Sequence, residues 1–149
     1  MFDAAPSALD IQPLTQADLD VLVEGQEGAT FLRQHVSHLI NDYAWVARWN
    51  GRPVLASGFV FVPHFPGYAE AWAMVRDVPR RAWPRITIFA IAEIARAQAA
   101  GVNLIECTVD RAQPSALRWA RKLGFEANGV RPGYAGRDCI LFGISTGVG

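Results

Sequence analysis

Apolar and polar residues alternate in several short segments of the chain, as they do in strands that bury one face. Residues 9–14 form the first such segment. Residues 44–49 and 54–62 form the next two, and Asn50-Gly51 between them is typical of a two-residue hairpin turn, because both residues tolerate positive φ. Residues 68–75 then complete a predicted three-strand meander.

Helical spacing of apolar residues separates these strands. Thr15 is the expected N-cap of a helix over residues 16–24, and a second helix is predicted over residues 31–43. Residues 85–100 read as a third helix that ends at Gly101, and its apolar positions cover most of its circumference, which predicts a largely buried helix. Residues 114–123 form a fourth, with Pro114 in its first turn.

Three further strands are predicted, over residues 102–109, 125–130 and 137–144. The order is therefore β-α-α-β-β-β-α-β-α-β-β, which combines a meander with a crossover unit. This order predicts a mixed α/β (α+β) fold, with about seven strands, mostly antiparallel, and about four helices on the faces of the sheet.

Composition limits the classes of protein that fit this pattern. The 149 residues are 51% hydrophobic, so one domain over residues 1–149, with a loose tail at 1–8, can fill a core. Fourteen basic residues balance fourteen acidic ones, which gives no support to binding of nucleic acid or of a membrane surface. No secretory leader or run of about 18 apolar residues is visible, so we expect a cytoplasmic protein. Cys107 and Cys139 lie in apolar strands and are predicted to be buried thiols.

The segment from Pro114 to Phe125 carries a family resemblance. A short helix ends at Leu123-Gly124-Phe125 and leads directly into a strand, after an apolar strand and before two closing strands. This order resembles the C-terminal half of the GCN5-related N-acetyltransferases, the GNAT superfamily. The resemblance implies transfer of an acetyl group from acetyl-CoA, without a metal, to a small-molecule or protein amine.

The resemblance also implies a cofactor site along the fourth strand and at the start of the following helix, where unpaired N–H groups favour phosphate. The residues placed there, with Gln113 before the last helix, are Met74, Val75, Arg76, Arg80, Arg81, Ala82, Trp83, Arg85 and Gln113. Pro84 and Ile86 occupy positions where the family usually has small residues. The three arginines of residues 80–85 either hold phosphates with their side chains or form an exposed basic loop.

Two carboxylates are candidates for the general base that the family uses, Glu70 and Glu106. Glu106 interrupts an apolar strand, so it either faces solvent, is ion-paired or lies in the cleft. Ala120 stands where the family often has a tyrosine that protonates the thiolate. Tyr134, in the last loop, is the alternative acid, or else a surface or lid residue.

The remaining polar residues indicate no other chemistry. His35 and His38 are three residues apart, but no further ligand completes a metal site. Trp72 and residues 116–119 resemble divergent, phage-associated GNAT-fold proteins. Two hypotheses follow: an N-acetyltransferase with an unusual pyrophosphate loop, or a catalytically silent GNAT-fold structural or binding protein. A high density of aromatic residues at 45–61 suits a homodimer interface as well as a core.

Overall fold

The computed structural model of the protein describes residues 8–24, 36–134 and 136–146. Its strands are β1 (Leu9–Pro13), β2 (Trp45–Trp49), β3 (Arg52–Phe61), β4 (Tyr68–Val75), β5 (Leu104–Asp110), β6 (Glu126–Tyr134) and β7 (Arg137–Ser145). Its helices are α1 (Gln16–Val23), the single turn α2 (Val36–Leu39), α3 (Trp83–Ala99) and α4 (Pro114–Lys122), with a 3-10 turn at Arg80–Ala82.

The strands form one sheet in the order β1-β2-β3-β4-β5-β7-β6. β4 and β5 are parallel, whereas the β1–β2, β2–β3, β5–β7 and β6–β7 pairs are antiparallel. The parallel pair results from the crossover through α3, as the predicted element order requires. The predicted mixed α/β class is therefore confirmed.

The chain folds into two compact units. The first contains the described residues up to Gly58 together with Ala73–Ile86, and the second contains Phe59–Trp72 and the described residues from Thr87 onward. The predicted single domain over residues 1–149 remains a prediction.

In the first unit, apolar side chains of α1, β2, β3 and the start of α3 are fully buried. They are Leu19, Leu22, Val46, Leu55 and Ile86. Helix α1 begins at its predicted N-cap, because Thr15 Oγ1 accepts the Asp18 N–H at 3.2 Å and Asp18 Oδ2 accepts the Thr15 N–H at 3.3 Å. This reciprocal pair satisfies two N–H groups that the helix itself leaves open.

Asp18 also joins α1 to β2. Its carboxylate accepts hydrogen bonds from Arg48 at 2.7 and 3.0 Å. Burial opposes the charge of Asp18, but the hydrogen bonds from Arg48 and Thr15 outweigh it, and the pKa of Asp18 lies below its ordinary value of 3.8. The buried carboxylate is therefore ionised and paired.

In the second unit, α3 and α4 cover one face of the sheet. Trp119 Nε1 of α4 donates to Thr87 Oγ1 of α3 at 3.0 Å. The Arg121 guanidinium lies 5.5 Å over the ring of Phe142, which is fully buried on β7. α4 also packs against β5, so the helices and the inner strands share a core.

Two elements end at other residues than predicted. The second helix was predicted over residues 31–43, but α2 ends at Leu39, where Asn41 Oδ1 accepts the Tyr43 N–H at 2.9 Å and forms a turn. Residues 31–35 and the first seven residues of the predicted tail lie outside the described part of the chain. β6 continues past the predicted end at residue 130, to Tyr134.

The third predicted helix is only partly buried. Ile94 and Ala97 of α3 are buried as expected, but Ile88 is 68% exposed and Ile91 is 45% exposed. A helix on an open sheet buries only one stripe, so apolar residues all around it do not by themselves bury the whole surface. In the described residues, no helix has the length and apolarity required to cross a membrane.

Candidate functional site

In the second unit, one face of β4 and β5 carries polar side chains. Glu70 and Glu106 are partners in the parallel ladder, so both side chains project from the same face. Tyr68 lies two residues before Glu70 and Thr108 two residues after Glu106, hence on that face too. We call this the polar face, and its members, with two residues of β6 introduced below, are Tyr68, Glu70, Glu106, Thr108, Asn128 and Arg131.

Tyr68 connects the two carboxylates. Its hydroxyl donates to Glu70 Oε1 at 3.2 Å. Burial, a hydrogen bond to Glu106 and the negative charges of Glu70 and Glu106 all raise the pKa of Tyr68 well above its ordinary value of 10.0. The phenol is therefore protonated and acts as a hydrogen-bond donor between two acidic side chains.

The parallel ladder stops at this carboxylate pair. Among the described residues, Glu70 and Glu106 are the last partners that join β4 to β5. β5 nevertheless continues to Asp110, and all of it stays paired with β7. Beyond the two carboxylates, β4 therefore has an edge, at Ala71 and Trp72, that β5 does not cover.

Asn128 reaches the polar face because of a bulge in β6. The register passes from Ala127 to Gly129, so Asn128 has no partner on β7. Its Nδ2 lies 2.6 Å from the position that a Cβ on Gly143 would occupy. Gly143 is the β7 partner of Glu106, so the amide lies over the strand position next to Glu106, in space that only a glycine leaves open.

Arg131 and Tyr134 extend this side of the sheet along β6. The half-buried Arg131 donates from NH1 to Thr108 Oγ1 at 3.2 Å, which places its guanidinium on the polar face. The guanidinium also lies 5.3 Å over the ring of Tyr134, which is 40% exposed. The predicted acid, Tyr134, thus contacts Arg131, which is bound to Thr108, two residues beyond the predicted base Glu106 on β5.

The surroundings of Asp110 and of the two cysteines determine their protonation states. Asp110 accepts the Ala112 N–H at 2.9 Å and a hydrogen bond from Arg137 at 3.0 Å, which lower the pKa of Asp110. Burial, with the negative charge of Glu106, raises the pKa of Cys107 to about 12. Burial is also the largest cause that raises the pKa of Cys139, so both cysteines are thiols at neutral pH.

The predicted cofactor residues of β4 lie in the first unit. Met74 is buried and Val75 is 42% exposed. The Arg76 N–H donates to Val54 O at 2.7 Å. The guanidinium of Arg76 donates to the carbonyl oxygens of Val21 and Glu24 at 3.0 and 2.7 Å, so it binds the C-terminal end of α1.

The basic residues before α3 also lie in the first unit. Arg80, Arg81 and Arg85 are exposed, whereas Ala82 is buried and Trp83 is half-buried. The Ala82 N–H already donates to Pro79 O at 2.9 Å, and Pro84 has no N–H. Three guanidinium groups at a helix N-terminus nevertheless suit an anionic ligand that is held by side chains.

Trp49 and Ile86 lie next to the basic residues that precede and begin α3. Arg81 lies 5.5 Å over the ring of Trp49, which holds its side chain against β2. Ile86 is fully buried, so its branched side chain does not point toward a ligand outside. In the second unit, Gln113 is exposed immediately before α4, and its N–H donates to Asp110 O at 3.0 Å.

Four residues on this side of the sheet escaped the sequence reasoning: Tyr68, Thr108, Asn128 and Arg131. The Asn128-Gly129 dipeptide inside a strand is a signal for a bulge. The other three depend on cross-strand register, which has no local signal. In the part of the chain that the structure describes, no three His, Cys, Asp or Glu side chains form a metal site, and His35 lies outside it.

Comparisons with known proteins give a result at the level of the fold. No known family and no curated protein matches the sequence. A Bacillus subtilis acetyltransferase in complex with CoA has a TM-score of 0.66 at 13% identity, over 93% of this chain and 97% of that one. The Escherichia coli ribosomal-protein-S18-alanine N-acetyltransferase has a TM-score of 0.66 at 20% identity, over 92% of this chain and 93% of that one.

An acetyltransferase of the GNAT family from Streptococcus pneumoniae has a TM-score of 0.62 at 16% identity, over 93% of this chain and 99% of that one. These matches extend over nearly the full length of the chain. The fold is therefore that of the GNAT acetyltransferases.

Proposed function

We propose, from this fold, that the protein is an acetyl-CoA-dependent N-acetyltransferase that acts on an amine. The observation that carries the proposal is the parallel ladder of β4 and β5, which ends at the carboxylate pair Glu70 and Glu106. An uncovered strand edge next to two carboxylates provides a place for an acyl group and a base for an amine. Solved proteins of this fold include acetyltransferases in complex with CoA.

The proposed roles follow from the positions on the polar face. Glu106 or Glu70 takes a proton from the acceptor ammonium, and Tyr68 holds the two carboxylates in place. The amine nitrogen attacks the thioester carbonyl carbon, the C–N bond forms and the C–S bond breaks. The thiolate of CoA then takes a proton, for which Tyr134 is the proposed donor.

The proposed contacts with the phosphates of acetyl-CoA come from arginine side chains. Arg80, Arg81 and Arg85 replace the backbone amides that Pro84 cannot supply, and each guanidinium can donate two parallel hydrogen bonds to a phosphate. The remaining predicted cofactor contacts, at residues 74–76, 82–83 and 113, belong to the same proposal.

Calorimetric titration with acetyl-CoA tests the proposal. We expect saturable binding to the wild type, and Arg81→Ala combined with Arg85→Ala should weaken it about tenfold or more, because two charge-assisted contacts are lost. Arg96→Ala is the matched control, since Arg96 lies near the other end of α3 and pairs with Glu93 at 2.9 Å. The control should bind like the wild type.

A lack of heat and of thermal shift at millimolar acetyl-CoA would sink the enzyme proposal. It would favour the second candidate, a catalytically silent GNAT-fold binding or structural protein, which Pro84 at the helix start also favours. We also propose that the protein belongs to the phage-associated branch, is cytoplasmic, forms a homodimer and does not bind nucleic acid.

A further inference from the structure

Arg131 is a cation on the polar face, and no acidic side chain among the described residues is paired with it. Its contacts are the Thr108 hydroxyl and the Tyr134 ring. In the part of the chain that the structure describes, no carboxylate lies within ion-pair distance of it, whereas Arg137, the β7 partner of Tyr134, pairs with Asp110 at 3.0 Å. A guanidinium has five N–H donors, and a hydroxyl and a ring leave most of them for a ligand.

The cation and the carboxylate pair lie at a defined spacing. Arg131 is bound at Thr108, which lies two residues beyond Glu106 on the same strand and face. Two residues of strand span roughly 7 Å. A negative site at Glu70 and Glu106 is thus followed, one step along β5, by a positive site at Arg131.

Asn128 adds a neutral polar group to this surface. Its amide lies beside the partner position of Glu106, and it is exposed. The bulge that projects it occurs three residues before Arg131 on the same strand. Both side chains that β6 contributes therefore have donors for an anionic or carbonyl oxygen.

We propose that the acceptor is zwitterionic, an amine that also carries a carboxylate, with its ammonium at Glu70 and Glu106 and its carboxylate at Arg131. A simple cationic amine would leave Arg131 unused, and a simple anion would be repelled by the carboxylate pair. Arg131 then selects the acceptor and takes no part in the proton transfers. That this ligand is the acceptor of an acetyl group rests on the proposed function. That a zwitterion binds between the carboxylate pair and Arg131 does not.

Three probes of equal chain length test this proposal: 4-aminobutanoate, n-butylamine and butanoate. Each is titrated into the 15N-labelled wild type, and the Arg131 Nε–H signal is followed, assigned by its loss in Arg131→Lys. We expect the signal to shift with 4-aminobutanoate at a concentration about tenfold or more below that for either single-charge probe. Equal binding of n-butylamine and 4-aminobutanoate, or binding of neither, would overturn the proposal.

Variants separate recognition from folding. The variants lack the Arg131 signal, so their binding is followed by the backbone amide signals of Glu106 and Thr108. Arg131→Gln should lose the preference for 4-aminobutanoate and leave the affinity for n-butylamine unchanged, and Arg131→Lys should restore part of the preference. Arg118→Gln is the control, because that arginine is exposed on α4, away from the polar face, and it should behave like the wild type. If Arg131→Gln keeps the preference with an unchanged melting temperature, Arg131 is not the anion site.

The two proposals fail in different ways. Binding of 4-aminobutanoate without heat from acetyl-CoA would leave the zwitterion site standing and remove the enzyme. Heat from acetyl-CoA, with no preference among the three probes, would support the enzyme proposal and exclude the zwitterion site.

Discussion

Tyr68 determines how the two carboxylates of the polar face are held. A single hydroxyl interacts with both Glu70 and Glu106, which are neighbours in the sheet and repel each other. A protonated phenol relieves this repulsion, whereas a phenolate would add a third negative charge. The side chain is therefore useful only while it keeps its proton.

This arrangement predicts a loss of stability at high pH. The unfolded chain releases the Tyr68 proton near pH 10, but the raised pKa delays release in the folded protein. The free energy of unfolding should therefore fall as the pH rises above 10, by no more than about 1 kcal/mol per pH unit because the site is half-buried. Urea unfolding at pH 8 and pH 11 measures the fall, which Tyr68→Phe should reduce.

Phenolate absorbance gives an independent reading of the same group. A late-titrating component should be present in the wild type and absent in Tyr68→Phe. In Glu70→Gln it should appear at lower pH, because one negative neighbour is gone. An identical titration in all three proteins would contradict the hydrogen bonding described for Tyr68.

Single residues differ in how far their sequence context reveals them. Glu106 interrupts an apolar strand, and this break in the pattern identified it. Arg131 has no such context, because its meaning depends on Thr108, which is 23 residues away in the chain. Cross-strand neighbours of this kind follow from register, and register is set by the turns and the core.

At the scale of the element, the end of α4 is specified by residues that are close together in the sequence. The Phe125 N–H donates to Ala120 O at 3.1 Å and the Gly124 N–H to Arg121 O at 3.0 Å, the two bonds of a Schellman motif. Gly124 has φ of +103°, a conformation that glycine adopts without strain. The Leu123-Gly124-Phe125 junction thus ends the helix as the sequence indicated.

Gly124→Val should destabilise the protein by about 2 kcal/mol or more, because a β-branched residue is strained at this φ. Crowding adds little, since an added Cβ would lie 3.6 Å from Ile144 Cδ1, an ordinary contact. Chemical denaturation measures the loss. Gly124→Asn should lose less, because asparagine tolerates positive φ, and equal losses for the two variants would exclude backbone strain as the cause.

Other elements were predicted less well for physical reasons. The N-cap at Thr15 and the hairpin at Asn50-Gly51 rest on local chemistry, and both occur as expected. The second helix was placed by apolar spacing alone, and the side chain of Asn41 competes for the backbone at its end. Spacing of apolar residues does not report such competition.

At the scale of the whole molecule, the chain passes repeatedly between its two units. β3, β4 and α3 each have residues in both. Neither unit can unfold completely without disrupting elements that the other unit contains. The predicted single domain therefore leads to an expectation for unfolding.

We expect one cooperative unfolding transition, because three shared elements link the units. Tryptophan fluorescence, from residues such as Trp45 in the first unit and Trp119 in the second, should change together with far-UV circular dichroism in urea. Coincident curves would agree with one domain. Separate midpoints, or a plateau between them, would show that the units are independent domains.

The bulge at Asn128 has a consequence for how this protein can diverge. Within the described residues, β6 is at the end of the sheet and pairs with β7 alone, so a change in its length disturbs few other strands. Loss of one residue at the bulge would withdraw the amide from the polar face and leave the buried strands as they are. Deletion of a single codon in β6 is therefore a route to a homologue that has a different ligand preference and the same core.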